Sequence, residues 1–254
     1  MAAAASEVLD ELERLLEPQR FEDYCVNGLQ VPGASEVATL ATGVSAHAEL
    51  FELAAAERAE MLLVHHGLFW GDGVRAVDEL LAHRLRTLLD ANLALVAYHL
   101  PLDAHPELGN NALLAAGLGC EQLEPFALHR GEPIGFVADV PERIAAPDAL
   151  FAAVAELTQR EPLVFAEGAP TVRRLAIVSG AGADYLQDAA RAGAQALLTG
   201  EVSERSMASA RECGLHLIAA GHYATETFGV RRLGDHLAER FGLRHVFIDV
   251  PNPV

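Results

Sequence analysis

The chain has 254 residues, 51% of them hydrophobic, which suits one large domain or two packed halves. Its 36 acidic residues outnumber its 18 basic ones, and a formal charge of −18 repels phosphate backbones, which argues against a nucleic-acid groove. Every basic residue is arginine; without lysine, Schiff-base and phosphate-loop lysine chemistry are excluded.

The opening, MAAAASEVLDELERLLEP, carries acidic residues early and no basic flank, so it reads as an amphipathic helix rather than a signal peptide. No apolar run approaches the ~20 residues of a membrane span, and a cytoplasmic protein is the default expectation. Strands are predicted at 37–44, 61–66, 94–100, 134–140, 174–180, 196–201, 215–222 and 245–250. Most are apolar throughout, as in strands covered on both faces. Helical periodicity fills 46–57, 78–91, 109–117, 147–158, 182–193, 203–213 and 226–241. This alternation means an α/β fold with mainly parallel sheet. The polar stretch EPFALHRGEP, 124–133, is the expected joint between an N-terminal half, 1–125, and a C-terminal half, 126–254.

The two halves read alike. The first runs through TGVS (42–45), HH (65–66) and HLPLD (99–103); the second through SGAG (179–182), TGE (199–201) and HYATE (222–226). Each ends on a histidine with a carboxylate four residues later, which reads as duplication of one α/β unit. Cys25, Cys120 and Cys213 are far apart, with no C-x-x-C, against both a disulfide framework and a zinc–thiolate site.

Five groups each follow an apolar strand within a few residues: His65, His66, Asp103, His222 and Glu226. Sites in open α/β sheets form at the carboxyl ends of strands. Imidazoles and carboxylates without thiolates are a donor set for Zn, Fe, Mn, Co or Ni, and five donors with two carboxylates suit two divalent ions better than one. Alternation along a strand would put His65 and His66 on opposite faces, each for a different ion. At 222–226 the expectation is a strand end running into a turn, with Thr225 as helix N-cap, rather than a helical ligand pair. His99 and Glu201 are candidates for proton transfer beside a metal-bound water. Asn27, His105 and Asn110 suit either hydrogen bonding behind ligands or turn and cap chemistry. Arg205 is a candidate for a substrate phosphate. WGDG, 70–73, is expected as an exposed turn whose Trp70 either packs or stacks on a planar ligand. The glycines of SGAG and TGVS suit tight turns before helices. His47, His83, His129, His216, His236 and His245 fit no cluster.

The segments NGLQVPG, VHHGLFW, YHLPLDAHPELGNNALLA, TGEVSE, GLHLIAAGHYATE and FIDVPNPV, from about residue 24 to the C-terminus, resemble the Nif-three-like dinuclear metal-centre family. Its members are often labelled type 2 GTP cyclohydrolase homologues, and the likeness is strongest to the short bacterial branch. The resemblance implies two interlocked three-layer α/β/α halves and a toroidal homo-hexamer, a trimer of dimers. It also implies two divalent metals on His65, His66, Asp103, His222 and Glu226, with Glu226 bridging. The leading functional expectation is a metal-dependent hydrolase acting on a small nucleotide-like molecule or altered nucleobase ring. The alternative is a non-catalytic metal-binding protein with a metal-handling, regulatory or scaffold role. A water-accessible centre distinguishes the first from the closed coordination of a structural site.

Overall fold

The computed structural model describes residues 2–71 and 76–254. Of the WGDG turn, Asp72 and Gly73 lie outside the described residues. The chain divides into two compact units: 1–102 with 229–251, and 103–228 with 252–254.

In the first unit the chain runs β1 (Ala3–Ala4), α1 (Ala5–Leu16), β2 (Gly28–Val31), β3 (Glu36–Val37), β4 (Thr39–Ser45), α2 (Ala48–Ala56), β5 (Met61–His66), α3 (Glu79–Asp90) and β6 (Ala94–Ala97). Helix α4 (Leu100–Ala104) then leads into the second unit. There follow α5 (Asn110–Leu118), β7 (Glu121–His129), β8 (Glu132–Asp139), α6 (Pro147–Thr158), β9 (Leu163–Ala166), β10 (Arg174–Val178), α7 (Leu186–Arg191), β11 (Ala196–Thr199), α8 (Ser206–Cys213) and β12 (His216–Ala219). The long helix α9 (His222–Phe241) starts in the second unit and returns the chain to the first, where β13 (Arg244–Phe247) ends it.

The first unit's main sheet has the order β13-β4-β5-β6-β2, with β13, β4, β5 and β6 parallel and β2 antiparallel at the edge. Its central strand MLLV is wholly buried. Leu62 and Val64 pack with Leu50, Phe51 and Ala54 of α2, Leu88 of α3 and Leu95 of β6. Burying each such aliphatic or aromatic side chain contributes roughly 1.5–3 kcal/mol.

The second unit's sheet has the order β7-β8-β10-β11-β12-β9. Its centre, β10-β11-β12, is parallel, and β7, β8 and β9 run antiparallel to their neighbours. Ile177, Leu198 and Ile218 from the three central strands meet Leu114 and Leu118 of α5 and Leu150 and Val154 of α6. Both units thus place three adjacent parallel strands, in chain order, at the heart of a sheet.

The stretch expected to join the halves is instead the β7–β8 hairpin, inside the second unit. Its polarity reflects an exposed edge strand: most of β7 faces solvent. The chain divides at 102/103 and 228/229 rather than at 125/126. Among the described residues, no helix is long and apolar enough to cross a membrane.

Candidate metal centre

In the first unit, β5 delivers His65 and His66 at its carboxyl end. The β5–β6 pairing runs to Val64, whereas the β4–β5 pairing continues to His66, which pairs with Ser45. The rings do not diverge to opposite faces as strand alternation predicts: their centroids are 4.8 Å apart.

His65 is fully buried, and its Nδ1–H donates to the Tyr98 carbonyl at 3.1 Å. His66 Nδ1 pairs with Ser45 Oγ at 3.0 Å. His99 follows β6, and its ring centroid lies 5.0 Å from that of His65 and 5.5 Å from that of His66. Its Nδ1–H donates to Asp23 Oδ1 at 2.8 Å. Asp23 also accepts from the Cys25 and Leu100 amides and from Asn27 Nδ2, while Asn27 Oδ1 accepts from the His99 amide. Burial pushes the Asp23 carboxyl up, but the bonds and charge of His99, with Asn27 and the Cys25 amide, outweigh it and hold the group at about 2.

One ligand nitrogen from each of His65, His66 and His99 lies within 4.8 Å of the other two, a grouping able to hold a metal ion. Each ring is anchored through Nδ1, the arrangement that orients a metal-binding imidazole by its far nitrogen. Cys25 is buried, and burial raises its thiol to about 11, so it supplies no thiolate near neutral pH.

In the second unit, β10 is followed by Ser179, β11 by Gly200, and β12 by Ala220 and Gly221. Here the sequence expectation is corrected: His222 opens helix α9 directly, so His222 and Glu226 lie one helical turn apart. Gly221, at φ +97°, turns the chain sharply enough for the helix to begin without a connecting loop. Thr225 is not the N-cap; its hydroxyl donates to the Gly221 carbonyl and accepts the Gly180 amide.

His222 Nε2 is 3.2 Å from Glu226 Oε2, and its Nδ1 is 3.3 Å from Glu201 Oε2. Burial alone would lower the imidazole's pKa, but Glu226 and then Glu201 outweigh it and raise it to about 9. Glu226 is almost fully buried, and Glu201 is partly exposed. Asp103, on α4, is buried and accepts from Asn110 Nδ2 at 2.8 Å and from Ser179 Oγ at 3.0 Å. Asn111 braces the same place, donating to the Asp103 and Ile134 carbonyls and accepting the Ser179 amide.

Asn27 and Asn110 therefore hold site residues, whereas His105 does turn chemistry by accepting the Glu107 and Leu108 amides. Arg205 is exposed and bound to both oxygens of Asp184. Of the histidines left outside the cluster, His47 caps α2, His216 is held by Gly168 and Ala169, and His245 bridges Thr42 and Asp235. Sequence reading missed Asp23, Ser45, Ser179 and Asn111. The only signal for Asp23 was its spacing of four from Asn27 in EDYCVNG.

Imidazole nitrogens and carboxylate oxygens, held by hydrogen bonds and without thiolate, fit a borderline divalent ion. Residues 3–253 match the Duf34/NIF3 (NGG1p interacting factor 3) family. A Pseudomonas aeruginosa protein named GTP cyclohydrolase 1 type 2 homolog is 44% identical over 254 residues, covering all of both chains. A Pyrococcus horikoshii protein of the same name is 41% identical over 249 residues, spanning 96% of this chain and 97% of the relative. Among solved structures, one described as "protein ybgI, unknown function" is 39% identical with a TM-score of 0.92, covering 99% of this chain and 100% of that one. A Thermus thermophilus structure is 36% identical with a TM-score of 0.91 and the same coverage. The chain belongs to the Duf34/NIF3 family.

Proposed function

We propose that His65, His66, Asp103, His222 and Glu226 hold two divalent metal ions, and that the protein is a metal-dependent hydrolase of a nucleotide or altered nucleobase ring. The observation that carries this reading is the presentation of the imidazoles: the metal-facing nitrogens of His65 and His66 lie within 4.8 Å of each other and of one on His99, and each of the three rings is anchored through Nδ1. A purely structural histidine cluster gains nothing from gathering like groups and pinning each at its far side. The relatives' name, GTP cyclohydrolase 1 type 2 homolog, supports the substrate class.

When bound, the ions would polarise an electrophilic C=N or amide-like carbon and acidify a water near neutral pH. The chain's own residues orient and move protons. Asp23 fixes His99 with the proton on Nδ1, which assigns proton acceptance to Nε2. Glu201, partly exposed beside His222, is the second proton-transfer group. Assembly as a homo-hexamer, a trimer of dimers, belongs to the same reading, and sedimentation equilibrium tests it.

The test is metal analysis of anaerobically purified protein, followed by a hydrolysis screen against nucleotides and modified bases. His65→Ala and Glu226→Ala are expected to lose metal and turnover together. Undiminished turnover in a metal-free variant would overturn the proposal.

A further inference from the structure

Trp70 is 41% exposed, yet it is not loosely held. Its indole Nε1–H donates to the Gly67 carbonyl at 2.8 Å. Indole has no other hydrogen-bonding group, so what it offers solvent is apolar π surface. The backbone beneath it is tied down. Trp70 pairs antiparallel with Cys25, the Val26 amide donates to Phe69 at 3.1 Å, and the Gly71 amide donates to Tyr24 at 2.7 Å. Gln30 fastens the same loop, accepting the Leu68 and Phe69 amides on Oε1 and donating from Nε2 to the Val26 carbonyl.

The ring stands beside the imidazoles. Its centroid is 5.8 Å from that of His66 and, edge-on, 5.1 Å from that of His99. A large aromatic kept rigid and partly in water forgoes burial energy that a packed tryptophan would gain. A planar ligand recovers that energy by stacking.

We infer that Trp70 is a ring-binding plate that stacks a planar heterocycle beside His66 and His99, and so selects aromatic rings over non-aromatic compounds. The inference rests on the proposed function for the identity of the ring as a nucleobase. Because the indole donor is already engaged, selection is by π surface and tolerates different base edges.

Trp70 is the chain's sole tryptophan, so its fluorescence reports on this spot alone. The metal-loaded full chain is titrated with guanosine monophosphate and 7-methylguanosine monophosphate, with ribose 5-phosphate as the non-aromatic control. Saturable quenching by the nucleotides and none by the control is expected, after correction for absorbance. By calorimetry, Trp70→Ala is expected to weaken nucleotide binding about tenfold, Trp70→Phe less than about threefold, with metal content unchanged in both. Absence of saturable quenching by either nucleotide, or equal affinity in Trp70→Ala, would overturn the inference. Stacking without turnover would remove the hydrolase reading and leave the plate standing. Turnover with unchanged KM in Trp70→Ala would do the reverse.

Discussion

His222 and Glu226 stand one helical turn apart with Nε2 and Oε2 3.2 Å from each other, and Gly180 is what admits them. A methyl group at 180 would run into Glu226 Oε1 and stand 3.1 Å from His222 Nε2. Gly180 also sits at φ +60°, and its carbonyl accepts the Gly200 and Glu201 amides, so the loop cannot simply slide away. Gly180→Ala is therefore expected to lower stability by about 1–3 kcal/mol. It should weaken metal binding at least about tenfold as the helical pair is pushed aside. Urea unfolding and a metal-competition titration check both; an alanine variant matching the parent in each would refute the steric account.

That pair also shows what could be read from the sequence. The central strands and most helices were legible because their signal is local: MLLV or ALLT is apolar whatever lies around it. Strands β2 and β7 were not foreseen, because each lies at a sheet edge and is interrupted by polar residues; β9 was not foreseen either, although LVFA is apolar. The histidines and carboxylates stood out by their place after strands. Helix α9 starting at His222 did not, since it depends on the backbone of Gly221 rather than on side-chain periodicity. Asp23 escaped for a different reason. Its partner His99 is 76 positions away, and no spacing rule links a loop carboxylate to an imidazole that only the fold brings near.

Asp23 gives the second prediction. Its two carboxylate oxygens accept four hydrogen bonds, from Cys25, Asn27, His99 and Leu100. Asparagine keeps the shape but replaces one accepting oxygen with a donor, facing hydrogens it cannot bond. Asp23→Asn is expected to cost about 1–3 kcal/mol. The parent's own pH dependence has a defined sign. A carboxyl held at about 2 when folded, against an ordinary 3.8, stabilises fully above its unfolded value, and that stability is lost as pH falls through 2. Urea midpoints at pH 7 and pH 3 should therefore differ less between variant and parent at the lower pH.

A third substitution separates fold from site. Thr42 is fully buried in β4 with Oγ1 2.8 Å from His245 Nε2, and His245 Nδ1–H donates to Asp235 at 2.8 Å. Valine has nearly the same shape and leaves the imidazole nitrogen without its hydroxyl. Thr42→Val should cost about 1–2 kcal/mol in chemical unfolding. Metal stoichiometry should stay at the parent value, since none of the three groups belongs to the proposed ligand set. A loss of metal in this variant would show that the first unit's sheet and its imidazoles are less independent than their bonding implies.

The last prediction concerns His222 in the metal-free protein. Its pKa, about 9 when folded against about 6.5 unfolded, is raised by Glu226 and Glu201 against the opposing effect of burial. A raised histidine stabilises fully below its unfolded value and ceases to do so as pH climbs through the folded one. Metal-free protein should therefore lose about 2 kcal/mol between pH 6.5 and pH 9.5 from this group, a figure reduced for the partial exposure of Glu201. Metal binding reverses the sense of the same linkage. A ligating imidazole must first release its proton, so apparent metal affinity should rise about tenfold per pH unit up to pH 9 and then level. Glu201→Gln removes one of the two carboxylates that raise the imidazole, so the levelling point should move to lower pH. Competition titrations across pH 6 to 10 measure both curves, and a flat affinity profile would mean that His222 does not bind the metal through a nitrogen it must deprotonate.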